Sequence, residues 1–168
     1  MSTVFSFPEQ VNEKAARVVA GAVLVMAVAA LATSSYWLLA VMAYGFVARV
    51  LTGPTLSPLG YVASRLVAPR LGEPRYVSGP PKRFAQGMGA AITGAGAVLG
   101  LVLGQHAAAD VLLAAIVVAA GLESIFGYCL GCKVFGLLMR LGVVPDDVCA
   151  ECADIWSRPG MVRPDRPA

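Results

Sequence analysis

Val18–Ala32 reads VVAGAVLVMAVAALA and Tyr36–Ala48 reads YWLLAVMAYGFVA, with only Thr33-Ser34-Ser35 between them. The first run holds nothing but apolar residues and glycine. One helix over both would be about 45 Å long, against a hydrocarbon core of about 30 Å. The pair therefore predicts two membrane spans, residues 17–33 and 36–52, joined by a tight turn. The basic flank and the small residues Ala27 and Ala29 also suit a secretory signal, but a long polar lead precedes the run and a second span follows at once.

The rest of the chain agrees. Of 168 residues 58% are hydrophobic and the mean hydropathy is +0.73, too apolar for a soluble domain. A net charge of +3 is small for a nucleic-acid binder, and the basic residues sit in blocks beside apolar runs, as topology signals do. Ahead of the first span, Met1–Lys14 is polar and offers Asn12 as a helix cap. Behind the second comes a stretch rich in proline and glycine. Within it Leu59–Leu71 is amphipathic, with Arg65 and Arg70 on its polar side and Tyr61, Val62, Leu66 and Val67 on the other. It is expected either along the lipid headgroups or docked on the bundle.

A third span, 83–103, opens at Pro81-Lys82-Arg83, where proline suits the first turn and the basic pair can snorkel. Gly96, Gly100 and Gly104 recur every four residues and predict close helix packing. After a linker with the sole histidine, His106, expected to be solvated, a fourth span covers 110–129. The expected fold is all-α: a four-span membrane domain over 1–144 and a short tail, 145–168. The loop between spans two and three carries Arg65, Arg70, Arg75, Lys82 and Arg83, and the tail carries Lys133, Arg140, Arg158, Arg163 and Arg166; the two opposite turns carry no Lys or Arg. The positive-inside rule then predicts both termini in the cytoplasm.

Two pairs, Cys129/Cys132 and Cys149/Cys152, form the pattern C-x2-C-x16-C-x2-C. That spacing fits a four-cysteine zinc site. It equally fits dithiol chemistry, with Cys129 and Cys132 on one face at the end of a span and Cys149 in a helix first turn, where thiolate is favoured. Inert packed cysteines are the third alternative. On the relay reading Cys149 attacks, Cys152 resolves, and Cys129/Cys132 accept. Glu123 stands inside the fourth span, and at about 20 Å from the outer boundary it matches the depth of Arg49, which predicts an Arg49–Glu123 ion pair.

FPEQVNEKAAR (7–17), SPLG (57–60), PPKRFAQGMG (80–89) and LESIFGYCLGCKVF (122–135) together resemble the bacterial membrane family called domain of unknown function 4395, over roughly Phe7 to Trp156. The resemblance implies a four-span fold in the bacterial inner membrane and no established activity. It also suggests sulfur or thiol traffic with a thioredoxin-like or sulfurtransferase partner. The functions in view are a thiol or sulfur relay, a zinc-stabilised scaffold recruiting a soluble partner, and a small transporter of a sulfur compound. The last needs an oligomer or a partner protein, since four short spans alone enclose little.

Overall fold

The structure, a computed structural model, describes residues 7–149 and Cys152. Glu151, Arg158, Arg163 and Arg166 lie outside the described residues. The chain runs β1 (Gln10–Asn12), α1 (Glu13–Thr33), α2 (Trp37–Thr52), α3 (Pro58–Val62), β2 (Tyr76–Ser78), α4 (Gly79–Ala97), α5 (His106–Phe126) and α6 (Leu130–Arg140). A π-turn at Val98–Val102 extends α4, so that α1, α4 with its extension, and α5 are each long and apolar enough to cross a membrane. α2 is apolar but has 16 residues, about 24 Å.

The expected spans are all helical, with shifted ends. α1 begins at Glu13 because Asn12 caps it, its side chain accepting from the Lys14 N–H at 3.0 Å. The two hairpin turns lie together at one end of the bundle. There His106 stacks on Tyr36 with ring centroids 4.7 Å apart, and the Tyr36 hydroxyl donates to Asp110 at 3.1 Å. His106 is exposed, as expected, but not without a partner. At the other end the Arg17 Nη2 donates to the Ile125 carbonyl at 2.7 Å, which closes the C-terminus of α5 with a cation. β1 and β2 pair antiparallel, Val11 opposite Val77, and tie the starts of α1 and α4 together. Nothing in the hydropathy announces this clip.

Packing follows the logic of a lipid-facing bundle. The interior is built largely from small residues, among them Ala15, Ala27, Ala30, Ala109 and Ala120, whereas Val25, Val98, Val111, Val118 and Phe126 face outward. Along α4 the positions Lys82, Gln86, Gly89, Thr93, Gly96 and Gly100 alternate by four and three, which aligns them on one stripe. α2 fills that stripe with side chains. A Cβ on Gly96 would come within 3.2 Å of Leu39, and one on Gly100 within 2.9 Å of the Tyr36 ring. Gly104 falls outside the contact and serves the turn, with φ +63°. Gly100→Ala is thus expected to destabilise the bundle by about 1 kcal/mol. Chemical or thermal unfolding of the detergent-solubilised protein reads this, and no loss would mean that α2 and α4 are not held by that contact.

The amphipathic segment docks on the bundle, the second of the two expectations. α3, a π-turn at Ala63–Val67 and a 3-10 turn at Ala68–Leu71 dock on α1 through Ala63 and Ala68, while Tyr61, Val62 and Leu66 stay exposed. Lys14 Nζ fixes its end by donating to the Leu71 carbonyl at 2.7 Å.

Candidate functional site

The run Glu123–Phe135 is apolar enough to read as one helix, but it breaks. Gly127 takes the left-handed conformation, φ 69° and ψ 16°, open to glycine at little cost. The Gly127 and Tyr128 N–H groups turn back to the Glu123 and Leu122 carbonyls, at 3.0 and 3.1 Å. α6 starts afresh at Leu130 with Cys129 at its N-cap, in extended conformation, and Cys132 in its first turn. The expected placement at the C-terminal end of a span is therefore corrected. Cys129 and Cys132 sit at a helix N-terminus, where the dipole favours thiolate.

Gly131, between the two cysteines, sets how close this turn comes to α4. A Cβ there would lie 2.5 Å from the Ala85 Cβ and 2.6 Å from its Cα. Ala85 is three residues beyond Lys82, so the close approach brings the CxxC turn beside that buried lysine. Lys82 Nζ in turn donates to Glu123 Oε1 at 2.5 Å, joining α4 to α5. Glu123 thus pairs with Lys82, not with Arg49 as depth alone suggested. Depth fixes a height, but helix rotation selects the partner, and Lys82 heads the stripe that faces the interior. Arg49 is buried with other contacts: its Nε donates to Gln86 Oε1 at 2.8 Å and its Nη1 to Ser57 Oγ at 3.2 Å.

Both cysteines of the first pair are free. The hydrogen bond from the Cys132 thiol holds Cys129 below the ordinary thiol range, with help from the Lys82 charge and against burial and Glu123. The same hydrogen bond, burial and the Cys129 charge push Cys132 up. Of the two, Cys129 is the one favoured as thiolate.

The second pair differs from expectation. Cys149 and Cys152 form a disulfide with a Cα–Cα distance of 5.2 Å. Cys149 ends a 3-10 turn, Asp146–Cys149, and is 5% exposed against Phe135 and Met139 of α6, so it is not the accessible attacking thiol anticipated. Cys132, Phe135 and Met139 are spaced by three and four along α6, which places the disulfide about one helical turn from Cys132 along the helix. Among the described residues no three of His, Cys, Asp and Glu gather into a group that could hold a metal ion. An open cleft of about 400 Å³, lined by Phe7, Pro8, Pro80, Phe84, Phe135 and Val148 among others, borders the disulfide turn.

Sequence reading missed the role of Lys82, whose signal was its place four residues before Gln86 on the glycine stripe. It also missed the helix break, signalled only by Gly127. The family model described as Domain of unknown function (DUF4395) matches residues 11–140. No curated protein and no solved structure matches the chain.

Proposed function

Since the chain belongs to the family described as Domain of unknown function (DUF4395), which carries no assigned activity, we propose that it is a four-span membrane protein exchanging thiols and disulfides through its two CxxC pairs. Four spans rest on α2 lying along α4 between the same two ends of the bundle. The Lys and Arg count favours the end carrying both pairs as cytoplasmic, in the bacterial inner membrane. A thioredoxin-like or sulfurtransferase protein is the partner this reading favours.

The observation that carries the proposal is a free CxxC at the N-terminus of α6 beside a buried lysine, with a closed CxxC packed on the same helix. The Cys129 thiolate attacks one sulfur of the Cys149–Cys152 disulfide or of a partner's disulfide. A mixed disulfide forms and a thiolate leaves, taking the Cys132 proton. The Cys132 thiolate then attacks the Cys129 sulfur, closing the first pair and releasing the second thiol. Two electrons pass from the Cys129/Cys132 dithiol to the acceptor disulfide.

Cys132→Ser should accumulate a mixed disulfide on Cys129, seen by peptide mass mapping after acid quench, and Cys129→Ser should form none. An acceptor disulfide that stays oxidised equally in the wild type and in Cys129→Ser would end this reading. The pH profile gives an independent check. Alkylation of Cys129 should reach half its maximal rate below the ordinary thiol value of about 8.5, because the thiolate is the reacting form.

A further inference from the structure

α6 buries one face and exposes another that is just as apolar. Gly131, Phe135 and Met139, four residues apart, are buried, Gly131 against Ala85 of α4 and Phe135 beside Phe84 and Cys149. Leu130, Val134, Leu137 and Leu141, spaced by four and three, form a second stripe about a third of a turn away. All four are exposed, Leu137 by 55% and Leu141 by 67%. A helix facing water carries polar residues there.

Charge marks the border of this stripe. Lys133 and Arg140, seven residues apart, stand along one side of it, both exposed, and α6 contains no Asp or Glu. Among the described residues neither cation has an ion-pair partner. Lys133 Nζ lies 5.3 Å from the centroid of the Tyr128 ring, which is itself exposed. The stripe also continues a surface that is already apolar, because the exposed Ile125 and Phe126 at the end of α5 lead through Tyr128 to Leu130. An apolar strip bordered by cations and a tyrosine, running on from a helix long enough to cross a membrane, has the makeup of a helix lying in the plane of the interface.

We infer that α6 lies in the headgroup layer of the leaflet at the cysteine end of the bundle, with Leu130, Val134, Leu137 and Leu141 among the first acyl carbons and Lys133 and Arg140 on the phosphates of acidic phospholipid. The occupant is an anionic lipid surface because two cations share one edge with no carboxylate between them. A negatively charged leaflet attracts that edge, and a zwitterionic one does so weakly. Tyr61, Val62 and Leu66, exposed beside Arg65 and Arg70, repeat the makeup at the same end of the bundle. With α4 on one face and lipid on the other, α6 keeps Cys129 and Cys132 at the membrane boundary. This placement rests on α5 spanning the bilayer and not on thiol exchange.

The test uses the full chain carrying Trp37→Phe and Trp156→Phe, which leaves an indole introduced by Leu137→Trp as the sole reporter. The protein is placed in nanodiscs that mix phosphatidylcholine with phosphatidylglycerol, and one lipid at a time carries bromine on its acyl chains to quench an indole that it touches. Quenching should give phosphatidylglycerol a relative association about fivefold above phosphatidylcholine, the preference expected of a cation near an anionic surface. Lys133→Gln with Arg140→Gln should bring that ratio to about one, and added salt should lower it. Leu141→Trp repeats the reading at a second exposed position, and Val118→Trp on the outward side of α5 checks the span itself. Quenching in the Val118→Trp protein with none in the Leu137→Trp and Leu141→Trp proteins overturns the inference and leaves the span standing. Equal quenching by both lipids, or a preference that survives loss of both cations, overturns the anionic surface as occupant. An indole in the Val118→Trp protein that neither lipid quenches overturns the span and the inference together.

Discussion

Lys82→Met is expected to lower stability by about 3–5 kcal/mol, the cost of leaving a buried carboxylate without its partner. Glu123 loses its ion pair, and its side chain is only 18% exposed. Steric unfolding of the bundle in a denaturing detergent measures the loss. Lys82→Met/Glu123→Gln should recover most of it, since neither charge is then stranded. Charge reversal makes the choice of partner explicit: Glu123→Lys should be partly rescued by Lys82→Glu and not by Arg49→Glu. Rescue by the Arg49 variant instead would restore the pair that depth alone suggested. Lys82→Met should also slow alkylation of Cys129 at neutral pH, because removing a cation raises the thiol pKa and shrinks the thiolate fraction.

The second large effect belongs to Gly131. Gly131→Ala sets a methyl against the Ala85 Cβ and Cα, and a helix backbone cannot swing aside as a side chain does. We expect a loss of about 1–3 kcal/mol and a lifting of α6 from α4. The cysteine turn would then leave Lys82, so the pH midpoint of Cys129 alkylation should rise. Ala85→Gly removes the Cβ obstacle but not the Cα, and it should restore part of each change. A midpoint that stays put in Gly131→Ala would show that the close approach does not tune the thiol.

Much of the fold was legible because lipid demands long apolar runs, and such runs are visible without alignment. Asn12 as a cap and the helices near 17–33 and 36–52 follow from local chemistry, which does not depend on distant contacts. The site was harder to read. Gly127 interrupts a run whose hydropathy continues through Phe126 and Leu130, so the reversal of the local dipole at Cys129 hangs on one backbone conformation. Lys82 resembled a snorkelling residue at a span entrance, as Arg83 next to it does; the two differ by the 100° rotation that turns one inward. The burial of Cys149 depends on Phe135 and Met139, apolar residues that read equally well as membrane contacts.

The clip between β1 and β2 bears on how the chain is made. Tyr76 follows Asn12 by 64 residues, and α1, α2 and α3 are synthesised between them. At about 5–20 residues per second, the first strand waits roughly 3–13 s for its mate. On the proposed four-span reading, the nascent N-terminal segment has to remain during that interval on the side where β2 will emerge, while α1 and α2 enter as a hairpin. Closure of the ladder is thus a late event that reports correct insertion of that hairpin. A chain that lost its leading segment to the wrong face would arrive at α4 with nothing to latch.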